Sequence, residues 1–238
     1  LLLLCLGGSS LVALFSSGWL IARWGSRLIL RFSSLVLLLG IVLCGLTSSP
    51  FTLGVTCVLS GLGLGLVDVS MNTQGIQVER YYTTSCMSFM HASYSLGGVI
   101  GSITGAMFAG MGVGPFFNAV CVLGLYACFR PWSVPNLLND VPVVRRTNDK
   151  KETSHRVFPI FIVLCGIFSM LAYAAEGSVA EWGSLLLFTV KDASESTAAL
   201  VFAAFSTPTV LGRLFGDRLR IYFGDFMLTF FGALLSTL

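Results

Sequence analysis

Charge is what this chain has least of. Of its 238 residues, 11% are Asp, Glu, Lys or Arg, less than half the share of about 25% in a soluble domain. A water-facing surface cannot be covered with so few polar groups, so a soluble globular fold is excluded. Histidine is nearly missing, with two in all. There is no His-Glu-x-x-His and no Cys-x-x-Cys pair, so no metal centre is expected. The seven cysteines are scattered through apolar stretches and read as small buried hydrophobes rather than a disulfide framework. A net charge of +3 gives no grip on nucleic acid. No Gly-x-x-x-x-Gly-Lys-[Ser/Thr] loop is present to cradle a nucleotide, so no cofactor is expected. Disorder and collagen are excluded by the same composition.

Long apolar runs fill the space that charge leaves. Apolar residues make up 55% of the chain, with 26 glycines besides. Crossing about 30 Å of hydrocarbon takes about 20 mostly apolar residues in a helix. Eight stretches qualify: 1–21, 28–46, 51–78, 87–111, 113–129, 157–190, 197–211 and 222–238. They are continuous, without the ten-residue alternation of a membrane β-barrel, so the expected class is an all-α membrane protein.

The basic residues test that map independently. Thirteen of the fourteen lysines and arginines fall on alternate connections, and the other connections hold only Lys191. Basic loops stay on the cytoplasmic side, so the first span runs from outside to inside. One connection differs in kind: 130–156 is polar and contains Pro131, Pro135 and Pro142. It divides the chain into a bundle at 1–129 with five spans and a bundle at 157–238 with three. Its basic cluster between Arg145 and Lys151 is either part of a solvated linker or a dock for anionic headgroups. The chain opens on Leu1 and stops inside an apolar run at Leu238, as an interior piece of a longer protein would. A signal peptide is a poor reading of its start.

Two of the basic connections look alike. Gly18-Trp19-Leu20-Ile21-Ala22-Arg23-Trp24-Gly25-Ser26-Arg27 follows the first span, and Gly212-Arg213-Leu214-Phe215-Gly216-Asp217-Arg218 follows the seventh. The chain here resembles the major facilitator superfamily, whose signature Gly-x-Leu-x-Asp-Arg-x-Gly-Arg-Arg joins its second and third helices, with a weaker copy between the eighth and ninth. Gly18, Leu20, Arg23, Gly25 and Arg27 match the first copy, with Ala22 in the place of the aspartate. Gly212, Leu214, Asp217 and Arg218 match the second. The resemblance implies a helical bundle of two pseudo-symmetric halves, with eight of twelve transmembrane helices present. Two further segments, Gly65 to Gly75 and His91 to Gly98, are similar to the sugar-permease branch related to fucose/proton symporters. The signature residues Gly18, Arg23, Gly25, Arg27, Gly212, Asp217 and Arg218 become candidates for a gating loop. The glycines permit a close turn, and the arginines make contacts that differ between states. On the other reading the arginines only hold topology.

Acids inside the membrane are costly and usually meet a partner or a wet cavity. Asp68 lies 11 residues before Glu79, about 16 Å from that end of a straight helix. Asn72, Gly75 and Glu79 follow on the same face, and such a stripe looks into the bundle. Asp68 is a proton or solute site on one reading and a structural acid on the other. His91 is either a proton relay or a neutral hydrogen-bonding group at a helix entrance. The span at 157–190 is too long for one upright crossing, and a break or strong tilt near Glu176-Gly177 and Glu181-Trp182 is expected, with Glu176, Glu181 and Trp182 on the solute path. On the other reading the helix ends near Ala180 and Glu181 sits in the outer headgroup zone. The glycines Gly97, Gly101 and Gly105, with Gly61 and Gly65, are expected at close helix contacts.

The resulting expectation is a secondary transporter for a small solute, working by alternating access and coupled to protons, as a monomer in the cell membrane. Its rivals are a non-transporting sensor with a transporter fold and an intramembrane enzyme. The enzyme reading is the weakest, because Gly65-Leu66-Val67-Asp68 and Gly101-Ser102-Ile103-Thr104 miss the intramembrane protease patterns.

Overall fold

In the computed structural model, which describes residues 1–140 and 160–235, every regular element is helical. In chain order they are α1 (Leu2–Trp24), α2 (Ser26–Cys44), α3 (Pro50–Tyr82), α4 (Met87–Gly110), α5 (Pro115–Ser133), α6 (Ile160–Val190) and α7 (Glu195–Leu235). The basic cluster between Arg145 and Lys151 lies outside the described residues.

Local chemistry sets the helix ends. Ser49 caps α3, its Oγ accepting from Thr52 N at 3.2 Å, and Pro50 takes the first helical position, where its missing N–H costs nothing. Pro115 does the same for α5. Between α1 and α2 the chain turns on Gly25 alone, at φ 81, ψ 149. Inside α7 it turns at Gly224, at φ 73, ψ 162. That backbone region is open to glycine and almost nothing else.

Packing is inverted relative to a soluble core. Large apolar side chains point outward, Phe15 at 88% exposure and Phe51 at 80%. The buried positions are small: Ala13, Ser17, Ser33, Thr56, Ser60 and Ser70. Lipid offers apolar side chains as good a home as the interior does, so close backbone approach drives helix association instead. α3 is the centre of the first bundle. Its Gly61 lies against Leu6 and Ser9 and its Gly65 against Ser10 and Ala13, all on α1. Gly63 faces Leu37 on α2. Buried serines bond their own helix, as Ser17 Oγ does to Leu14 O at 2.6 Å and Ser70 Oγ to Leu66 O at 2.6 Å. α4 crosses away from this group and packs along α7, with Gly98 against the Phe202 ring. α5 joins α2 through Ser34 and Tyr126, their hydroxyls 2.7 Å apart, and α6 rests on α7 at Gly183 and Val201.

Several expectations change. The seventh and eighth spans are two helices that meet at a kink at Gly224, and the stretch from Gly212 to Arg220 is helix rather than loop. Its counterpart of Gly25 lies further on than the sequence match suggested. α6 runs through Glu176-Gly177 as helix, about 46 Å long at about 1.5 Å per residue. Gly97 and Gly101 have open space beside them, and Gly98 makes the close contact instead. None of the seven cysteines is buried; Cys121, Cys128 and Cys165 are exposed, because apolar groups here face outward. By length and composition α1, α2, α3, α6 and the Glu195–Gly216 part of α7 are able to cross a membrane. The Gly- and Ser-rich α4 does not reach that hydropathy, although it exposes Phe89, Leu96, Ile100 and Met107.

Candidate functional site

Asp68 and Asn72 stand one turn apart on α3. The Asn72 amide nitrogen donates to the Asp68 carbonyl at 3.0 Å and to its carboxylate Oδ1 at 3.3 Å. Further along that face, Gly75 receives the sulfurs of Met87 and Met90 from α4. Glu79 closes the α3–α4 turn, accepting from Cys86 N at 2.8 Å, Met87 N at 2.9 Å and Ser85 Oγ at 3.2 Å. The lower half of the polar stripe is thus spent on α4, while the Asp68 carboxylate stays exposed.

What assembles around Asp68 comes from both sides of the chain. The Tyr94 hydroxyl on α4 is close enough to Asp68 on α3, to Glu176 and Tyr173 on α6 and to Arg213 on α7 for their charges to act on it. Arg213 also ties the seam beside it: Nη1 donates to the His91 carbonyl at 3.1 Å and to Ser95 Oγ. Two acids, one arginine and a second phenol on α3, α6 and α7 thus act electrostatically on Tyr94, although α6 itself packs against α7 and not against α3 or α4. Such a set can bind polar groups and exchange protons.

Of the residues singled out from sequence, Asp68, Asn72 and Glu176 belong to this cluster. His91 enters it through its backbone carbonyl. Glu181 and Trp182 are exposed further along α6, and neither acts on Tyr94. Tyr94, Tyr173 and Arg213 were missed. Arg213 had been counted with the loop, and a tyrosine in an apolar run carries no signal of its own. A one-turn comparison would have found Tyr94, since it lies three residues from His91.

The proposed gating residues are not alike. Arg23 is exposed and stacks over Trp19 and Trp24, its guanidinium 5.6 and 5.7 Å from the ring centres. Arg27 donates to Asn139 Oδ1 at 2.6 Å and to the Pro135 carbonyl at 2.9 Å. Gly18 and Gly212 lie within helices with open space around them, so Gly25 makes the first turn by itself. Arg218 is exposed on α7. The Asp217 side chain lies outside the described part of the structure.

The profile of the Major Facilitator Superfamily matches residues 1–238. An uncharacterized MFS-type transporter of Yersinia pestis is 30% identical over 239 residues, taking in 100% of this chain and 61% of that protein. The membrane protein MosC of Rhizobium meliloti is 28% identical over 92% of this chain and 52% of its own length. An uncharacterized transporter of Sinorhizobium fredii is 28% identical over 94% of this chain and 59% of its own. The chain thus spans about half to three-fifths of the curated relatives it matches. No solved structure gives a significant match.

Proposed function

The chain belongs to the major facilitator superfamily, and we propose on that basis that it is part of a secondary transporter moving a small polar solute by alternating access. The halves are 1–129 and 157–238, joined by 130–156. What supports the reading is the family match together with the electrostatic influence of Asp68, Glu176 and Arg213 on the Tyr94 hydroxyl, groups drawn from both halves. Alternating access needs groups whose surroundings change when the halves rock, and a cluster shared between them changes by construction.

Proton coupling is assigned to Asp68 and Glu176. A carboxylate on a membrane helix gains or loses a proton as its site dries or wets, which links a pH gradient to the state of the bundle. The segments Gly65 to Gly75 and His91 to Gly98 support the sugar-permease branch, and so a sugar or related metabolite taken up by proton symport. The basic connections are assigned to the cytoplasm, in a plasma or inner membrane.

The test is solute accumulation by the full-length protein in proteoliposomes, with and without a pH gradient. Asp68→Asn and Glu176→Gln should each reduce gradient-driven uptake; unchanged accumulation in both rejects the coupling assignment. Binding without flux would make the protein a sensor, and solute conversion would make it an enzyme. Thiol labelling that places positions 23 and 146 on opposite membrane faces would refute the sidedness.

A further inference from the structure

The chain does not leave the first bundle when α5 ends. Residues 134–140 double back across the turn between α1 and α2 and are held there by side chains from two helices. From α2, Arg31 donates to the Val134 carbonyl at 3.0 Å, and Arg27 holds Pro135 and Asn139. From α3, the Gln74 amide pairs with the Leu138 backbone as a neighbouring strand would. Its nitrogen donates to Leu138 O at 2.9 Å and its oxygen accepts from Leu138 N at 3.0 Å. Gln74 is 3% exposed and Ser26 is 0% exposed, so the strap covers an interior polar network, and each of its bonds replaces one to water.

The strap ends at Asp140, whose carboxylate is seated at the start of α2. Ser26 Oγ donates to Asp140 Oδ1 at 2.6 Å, and the Gln77 amide donates to the same oxygen. Gln74 in turn donates to Ser26 Oγ at 2.7 Å. The carboxylate rests against Gly25, where any Cβ would collide with it. Negative charge at a helix start is favoured, because unpaired N–H groups point outward there. The turn between α3 and α4 is built the same way, with Glu79 supplying the acid from its own helix. The turn between α1 and α2 has no such local acid. Ala22 lines the groove that Asp140 occupies and carries no carboxylate.

We propose that Asp140 is the acid of the signature turn: the first residues of the connection between the halves form a strap that supplies, through space, the carboxylate that position 22 does not carry. Asp140 acts as a positioning residue, fixing Gly25 and the first turn of α2. The strap thereby makes the connection a working part of the turn rather than a tether.

Hydrogen–deuterium exchange on the full-length protein in lipid nanodiscs tests this without a known solute. Asp140→Asn should speed exchange in the peptide spanning 24–31 by about ten-fold while leaving α6 peptides unchanged. Adding Ala22→Asp to that variant should return the rate to within about two-fold of the parent. Parent-like exchange in Asp140→Asn overturns the proposal, and so does a double variant as fast as the single one. Should Asp140→Asn fail to accumulate, Gln77→Met removes a donor to the same carboxylate. It should speed exchange in the same peptide, and no change there overturns the proposal.

Discussion

The hydroxyl of Ser102 on α4 is set into the backbone of α7 at Ala203. Its Oγ accepts from the Ala203 N–H at 3.0 Å and donates to the Ala199 carbonyl at 2.5 Å. Those two groups pair with each other in an uninterrupted α-helix. A little further on, Pro208 has no N–H to give to the carbonyl four residues before it. Side-chain insertion and proline are both among the known causes of helix bending. Both features lie where α4 packs on α7, while the backbone of α7 stays helical there and departs from helix only at Gly224.

That seam should tolerate loss of the hydroxyl better than added bulk. Ser102→Ala lets Ala203 and Ala199 pair directly and should change stability by about 1 kcal/mol or less. Gly98→Leu drives a side chain into the Phe202 ring and should cost about 1–3 kcal/mol. Thermal melting of the detergent-solubilised protein compares them. Equal melting temperatures would mean the seam is looser than described.

Three glycines among the described residues, Gly25, Gly112 and Gly224, have the positive φ that alanine adopts only with strain, and Gly18 and Gly212 of the signature do not. Gly25→Ala and Gly224→Ala, at φ 81 and φ 73, should each cost about 1–3 kcal/mol. Gly18→Ala and Gly212→Ala, helical and unobstructed, should be neutral or stabilising by up to about 1 kcal/mol. The same melting assay reads all four, and a destabilised Gly212→Ala would put the second turn back where the sequence match located it.

Arg213 bridges α7 to the His91 carbonyl and to Ser95, and charge-assisted bonds of this kind are worth about 1.5–3 kcal/mol. Arg213→Ala should lower solute uptake by about ten-fold or more, and Arg213→Lys should fall between it and the parent, since an ammonium lacks the planar fork. Uptake by Arg213→Ala at the parent rate would remove this residue from the site.

Glu79 accepts three hydrogen bonds at the start of α4. Replacing it with leucine leaves two backbone N–H groups without that acceptor and should cost about 1–2 kcal/mol. The loss should appear as faster amide exchange at the start of α4, with α2 unaffected. If α2 loosens equally, the two turns are not independent.

How much of this was legible beforehand depends on the kind of interaction. The polar stripe from Asp68 to Glu79 was readable because a helix places every third or fourth residue on one face, whatever surrounds it. Its division of labour was not: Asp68 stays open while Glu79 caps α4, and that follows from which neighbour each one meets. Of the break or strong tilt expected at Glu176-Gly177, the break is absent, because a glycine inside a long apolar helix permits a bend without requiring one. The bend expected near Gly212 fell instead at Gly224, since a positive φ is a property of the folded backbone and several glycines were available.

Residue composition and long apolar runs were enough for the membrane class and for the helices, while the family came from the resemblance carried by Gly18, Leu20, Arg23, Gly25 and Arg27. Solvation by lipid and short-range helix periodicity act on each segment separately, so no fold is needed to read them. The partners of Tyr94, the insertion of Ser102 into α7 and the seating of Asp140 beside Gly25 came only with the folded chain. Ser26 and Asp140 are 114 positions apart, and no local rule couples residues at that distance. Only the strap at 134–140, held by Arg27, Arg31 and Gln74, puts them within a hydrogen bond of one another.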